Sequence, residues 1–131
     1  MLESCSVSDV IPASPKAIYE AYLSTEGHAN LTGSPASVEA KVGGKFSAWD
    51  GYIWGTTLEM EPHRRIVQAW RTSEFPEDAE DSKLEILIEP AGDGSRVTFN
   101  HTHIPEGQGD DYKQGWIDFY FEPMKEYFGG E

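Results

Sequence analysis

The sequence predicts an α+β domain in which a curved antiparallel sheet of about seven strands wraps around one long C-terminal helix, with two short helices after the first strand. Three observations carry this expectation. Gly43-Gly44, Asp50-Gly51 and Gly92-Asp93-Gly94 separate segments of strand-like composition, and these are the turn residues of hairpins. Residues 110–128 are helical in period and apolar over about half the circumference, wider than the stripe a surface helix needs. The chain has 131 residues and no repeat, linker or low-complexity tract, so it reads as a single domain over 1–131. A domain of that size buries about two thirds of the surface its unfolded chain exposes.

The elements follow in order. An opening strand ends near Ile11. Ser14 is placed to cap a helix whose first residue is Pro15, where the missing amide is one the helix leaves unpaired anyway. That helix runs to about Leu23, with Ile18, Ala21 and Tyr22 at helical spacing and Tyr19 and Leu23 beside them. A second short helix follows Thr25. Six strands are read near 37–42, 45–49, 52–61, 65–72, 83–90 and 95–104. Residues 74–81 carry five acids and Pro76, which makes them a solvated loop. In the last helix Tyr112, Trp116, Phe119, Tyr120, Pro123 and Tyr127 form one ridge, flanked by Ile117, Phe121, Met124 and Phe128. Pro123 predicts a kink, because the carbonyl one turn earlier loses its partner.

Composition narrows the function classes. Ten Lys and Arg stand against 23 Asp and Glu, a formal charge of −13, which repels nucleic-acid phosphates and anionic lipid head groups. No apolar run approaches the ~20 residues of a membrane span, and Met1-Leu2-Glu3-Ser4-Cys5 has neither the basic nor the apolar part of a signal peptide. Cys5 is the single cysteine, so neither a disulfide framework nor a cysteine zinc site is available and a cytoplasmic setting is expected. The glycines lie in strand turns and not between strand and helix, so no nucleotide cradle and no cofactor is expected.

The candidate site residues come from strand alternation. His101 and His103 fall on one strand face with Val97 and Phe99. An isolated His-x-His fixes no third ligand, so no metal is expected and the pair reads as polar cavity lining, or as a surface pair where the strand leaves the sheet. Gln68 shares a face with Ile66 and Trp70, and a buried amide there must find a ligand, a water or a neighbouring side chain. Trp54, Thr56, Leu58 and Met60 alternate on one face, suited to a pocket wall or to ordinary core. There is no Gly-x-Ser-x-Gly elbow, Cys5 has no sequence-defined base, and Asp110-Asp111 fit a helix start, where negative charge complements the dipole. No catalytic residue is therefore assigned. The expected cavity lies between sheet and terminal helix, lined by Trp54, Leu58, Gln68, Trp70, Phe99, His101, His103, Trp116 and Tyr120.

Val42-Gly43-Gly44-Lys45-Phe46, Asp50-Gly51, Gly55, Glu59-Met60-Glu61-Pro62, Ile66-Val67, Trp70-Arg71 and Gly115-Trp116 follow one pattern, closed by Phe119-Tyr120-Phe121-Glu122 and Phe128-Gly129. Over roughly residues 9–128 the chain resembles the heat-shock protein 90 ATPase activator family, within the START-like or SRPBCC superfamily, and its C-terminal domain in particular. The resemblance implies a helix-grip fold. The wide aromatic helix and the mixed lining point first to a non-enzymatic module binding a small hydrophobic or amphipathic ligand in the cavity; the resemblance implies, as the alternative, a co-chaperone-type protein modulating a heat-shock protein 90 chaperone and, as a second alternative, a cyclase- or hydrolase-like cavity enzyme. For the last, His101, His103, Gln68, Tyr112 and Tyr120 are the polar candidates. Eukaryotic co-chaperone members carry a further N-terminal docking domain, and with Met1 directly ahead of the first strand that domain is expected to be absent.

Overall fold

The computed structural model describes residues 1–129. The strand β1 (Glu3–Ile11) leads into α1 (Pro15–Tyr22) and α2 (Thr25–Thr32), followed by β2 (Ser37–Val38), β3 (Lys45–Ala48), β4 (Ile53–Glu61), β5 (Arg65–Thr72), β6 (Ser82–Ala91) and β7 (Gly94–Ile104). The chain ends in α3 (Gly109–Trp116), a π-helical segment (Ile117–Phe121) and α4 (Glu122–Gly129). All seven strands form one antiparallel sheet in the order β1-β7-β6-β5-β4-β3-β2. Both early helices start on side-chain caps: Ser14 accepts from the Ala17 amide at 3.1 Å and Ser24 from the Gly27 amide at 2.7 Å.

The concave face carries the core. Ile66, Leu84, Ile86, Ile88, Val97 and Phe99 are fully or almost fully buried against Tyr112, Trp116, Tyr120, Phe121 and Met124 of the terminal helical run. The convex face is polar: Ser6, Asn100, Glu85 and Arg65 join across four strands in one run of hydrogen bonds. This one-wet-face arrangement is what strict alternation in antiparallel strands produces.

Two bulges break that alternation. In β4, Thr57 pairs with Gln68 and Glu59 with Val67, leaving Leu58 as the extra residue. Ile53, Gly55 and Thr57 therefore point inward ahead of the bulge and Met60 packs on the core after it. Trp54 and Leu58, expected as pocket wall, are 40% and 45% exposed on the convex side. In β7 the register shifts opposite Ser4, His103 takes a left-handed φ of 61°, and burial passes from His101 to Ile104. His103 is exposed, so the two imidazoles do not share a face.

The expected strand over 37–42 shortens to Ser37–Val38. Glu39 still donates its amide to the Lys45 carbonyl at 3.0 Å, and the residues after it fold onto the β4 bulge, where the Gly43 amide donates to the Thr57 carbonyl at 2.8 Å and the Thr57 amide to the Gly44 carbonyl at 2.9 Å. Gly55 has a packing reason. A Cβ there would lie 1.9 Å from the Ala69 carbonyl oxygen and 2.9 Å from the Phe46 ring, so Phe46 covers a position only glycine can hold.

At Pro123 the helix changes phase. The proline cannot donate to the Phe119 carbonyl, and the turn before it widens so that the Glu122 amide reaches the Ile117 carbonyl, a five-residue step. Tyr112, Trp116, Tyr120 and Met124, spaced four apart, all stay on the sheet side. An unbroken α-helix would rotate such a row progressively off its face. The ridge expected from a constant period is thereby corrected at two places: Phe119 is 54% and Tyr127 47% exposed.

Candidate functional site

A cavity of about 380 Å³ opens between the β3–β4 turn and the terminal helical run. Ile53, Trp70, Trp116 and Tyr120 form its inner wall. Its mouth is flanked by Trp49 and Tyr52 from the turn and by Phe119 from the π-helical segment, with the Trp49 and Phe119 rings edge to face at 5.6 Å. The turn brings its aromatics round through left-handed backbone at Trp49, Asp50 and Gly51, with φ of 52°, 57° and 89°. Gly115 lies on the wall, and Glu74, Gln108 and Asp111 supply the polar lining.

Of the nine residues expected to line the cavity, Trp70, Trp116 and Tyr120 do. Gln68, Phe99 and His101 are buried in the core behind it, while Trp54, Leu58 and His103 lie outside on exposed positions. Trp49, Tyr52, Ile53, Glu74, Gln108, Asp111 and Gly115 are lining residues that alternation did not identify. Five of them, Trp49, Tyr52, Glu74, Gln108 and Asp111, sit in loops or at a helix start, where period carries no information. The flanking of Asp50-Gly51 by Trp49 and Tyr52 was the available signal, because aromatics on both sides of a tight turn must pack on something.

The buried polar groups satisfy one another. The Tyr22 hydroxyl donates to Gln68 Oε1 at 3.0 Å, and Gln68 Nε2 donates to Thr57 Oγ1 at 3.2 Å. His28 Nδ1 donates to the Tyr22 carbonyl at 2.9 Å, leaving Nε2 to accept from the Tyr120 hydroxyl at 2.7 Å. At His101, Trp116 Nε1 donates to Nδ1 at 3.2 Å, so the proton sits on Nε2 and is donated to Ser82 Oγ at 2.8 Å. Ser82 passes its own hydrogen to the Trp70 carbonyl at 2.6 Å. Burial pushes the His101 imidazole down to about 3 and lowers that of His28 as well. Both rings are neutral core groups. Among the described residues, Tyr19 Oη is the one buried side-chain polar atom without a protein partner, and Tyr19 does not line the cavity. No three His, Cys, Asp or Glu side chains of the described residues converge as a metal cluster. No helix among them is long and apolar enough to cross a membrane.

A curved seven-stranded antiparallel sheet closed on a C-terminal helix, with two short helices after β1, defines a helix-grip domain of the START-like or SRPBCC type. Comparison with known proteins narrows this class. The chain belongs to the family described as Activator of Hsp90 ATPase homolog 1-like protein, whose model matches residues 12–129. It is 28% identical over 130 residues to the human protein named activator of 90 kDa heat shock protein ATPase homolog 1, covering 98% of this chain and 38% of that one. The chain thus spans well under half the length of that relative. Among solved structures it is similar to an HSP90 activator from Plasmodium falciparum, with a TM-score of 0.85, 24% identity and 96% of each chain covered. It is also similar to the Aha1 dimer from Colwellia psychrerythraea, with a TM-score of 0.80, 18% identity and 98% of each chain covered. At these identities the two structures speak for the fold.

Proposed function

We propose that the chain is a co-chaperone-type interaction module that engages a heat-shock protein 90 chaperone and modulates its ATPase, itself performing no catalysis, in the cytoplasm. The observation that carries this reading is the family match, which extends over nearly the whole fold and includes the terminal helical run. The interior supports it from another side. His101, Gln68 and His28, buried in the core behind the cavity, have their hydrogen-bonding groups engaged by neighbouring protein atoms and present no free imidazole or amide for catalysis. A chain of charge −13 favours a basic contact patch on its partner, and such a contact weakens as salt rises. The test is ATP hydrolysis by a heat-shock protein 90 chaperone from the same source, with and without the purified chain, alongside sedimentation of the mixture. A change in turnover with a salt-sensitive complex is expected. Unchanged turnover with no complex removes the reading.

A second reading is favoured by the cavity itself. Its aromatic inner wall and open mouth suit a small apolar or amphipathic molecule, whose tail would lie against Trp70 and Trp116. Saturable quenching of tryptophan emission by an uncharged alkyl probe is the expected result, and its absence from the folded protein removes this second reading.

A further inference from the structure

We infer that this cavity selects cationic amphiphiles, an ammonium group carrying a short apolar chain, over neutral and anionic ones of the same length. The inference rests on the cavity reading and adds the sign of the head group. The observation behind it is how the lining is segregated: aromatic and aliphatic side chains inside, two carboxylates among the polar residues, and no Lys or Arg among the residues that line it. Glu74 stands in the loop after β5, where its carboxylate accepts from the Tyr52 hydroxyl and its backbone carbonyl accepts from Gln108 Nε2 at 2.9 Å. The acid is thus held beside the aromatic turn. Asp111, in the first turn of α3, is the second carboxylate. The basic side chain nearest to Glu74 in sequence is engaged elsewhere: Arg71 reaches Asp81 at 2.8 Å and the carbonyls of Ala79 and Pro76 at 2.9 and 3.2 Å.

Two forces act in the same direction on a cation here. Trp49, Tyr52 and Phe119 stand among the lining residues, and the negative side of an aromatic ring's quadrupole attracts an ammonium, quaternary ammonium above all. Glu74 and Asp111 supply formal countercharge, in a chain whose net charge of −13 already gathers cations and repels anions. An anionic head would meet like charge at both acids. The head group is oriented outward, toward these acids, because the polar groups of the core are bonded to each other and offer nothing to a head group inside.

The experiment titrates the folded protein with decyltrimethylammonium, decanol and decanoate, each below its aggregation threshold, at neutral pH, reading tryptophan emission. Saturable binding of the cation at least ~10-fold tighter than of decanoate is expected, with the difference shrinking as salt rises. The double variant Glu74→Gln/Asp111→Asn, its fold checked by circular dichroism, should weaken cation binding several-fold, leaving the share that the aromatic rings supply, and change decanol affinity far less. Decanoate binding as tightly as the cation, a preference insensitive to salt, or a double variant that keeps the parent's full preference overturns the charge selection. In those cases saturable decanol binding still upholds the cavity reading. No saturable binding of any of the three removes both.

Discussion

Trp116→Ala is the most informative single perturbation of this fold. The ring is 3% exposed and packs at 4.7 Å from Phe99, 5.2 Å from Trp70, 5.2 Å from Tyr120 and 5.6 Å from His101. Truncating a buried Trp to Ala costs ~3 to 5 kcal/mol in lost transfer energy and residual cavity. It also strips His101 Nδ1 of its donor, and an orphaned buried acceptor costs ~1 to 3 kcal/mol. Because Trp116 borders the open cavity, water can enter and partly satisfy His101, so ~4 to 6 kcal/mol is expected in total. That is a large share of the ~5 to 15 kcal/mol that stabilises a typical domain. Trp116→Phe separates the two contributions: it keeps most of the apolar contact, loses the N–H, and should cost ~1 to 3 kcal/mol. Phe119→Ala, at a half-exposed position, should cost under ~1 kcal/mol. Urea unfolding followed by far-ultraviolet ellipticity measures all three without relying on the deleted fluorophore. A loss below about 1 kcal/mol for Trp116→Ala, or equal losses for Ala and Phe, would refute the assignment of this face and of the His101 contact.

Acid should weaken the fold well before its carboxylates titrate. The folded pKa values of His101 and His28 lie below the ordinary value near 6.5, so the unfolded chain binds protons that the folded one refuses, and stability falls as pH drops from ~6.5 toward 3. His101 contributes a slope approaching ~1.4 kcal/mol per pH unit and His28 adds to it in the same direction, and urea midpoints unchanged between pH 7 and 5 would contradict this. The lowered carboxyls of Asp9 and Glu85, held down chiefly by Lys125 and Arg65, add their loss only at lower pH. Gly55→Ala should destabilise by ~2 to 3 kcal/mol or more, since the methyl would collide with the Ala69 carbonyl; thermal unfolding that matches the parent protein would count against the packing described. Gly115→Leu should abolish uptake of an uncharged alkyl probe with no loss of stability, because the added side chain enters open space and replaces a helical glycine; Leu58→Trp, on the convex face, should leave probe affinity unchanged.

Residue patterns that repeat locally carried most of the fold. The Ser14-Pro15 start, the strand over 65–72, the hairpins at Asp50-Gly51 and Gly92-Asp93-Gly94, and the inward Gln68 between Ile66 and Trp70 are all where periodicity and turn chemistry put them. The misplacements have one cause. Each of Trp54, Leu58 and His103 was assigned by carrying a period-two pattern along its strand, and a bulge changes parity at one residue without changing composition. In β4 the composition pointed the wrong way, because the inward set Ile53, Gly55 and Thr57 is less apolar than the outward set. Phe46 fills that space from the neighbouring strand. Phe119 failed for the helical equivalent, a π turn that re-phases the helix ahead of Pro123.

The sequence by itself determined the element order, the wet and dry faces of most strands and the wide apolar terminal helix, because hydrophobic period, caps and turn residues act over a few positions and are written there directly. The cavity was decided only by tertiary structure. Its walls come from the β3–β4 turn, the loop after β5 and the helical run beyond β7, segments far apart in the chain, from Trp49 to Tyr120, that meet only when the sheet curls. Whether His101 is a ligand or a neutral core group was equally undecidable from its strand. Trp116 and Ser82, which claim its two nitrogens, reach it from another helix and another strand, and a proton's position depends on which partner stands at each nitrogen.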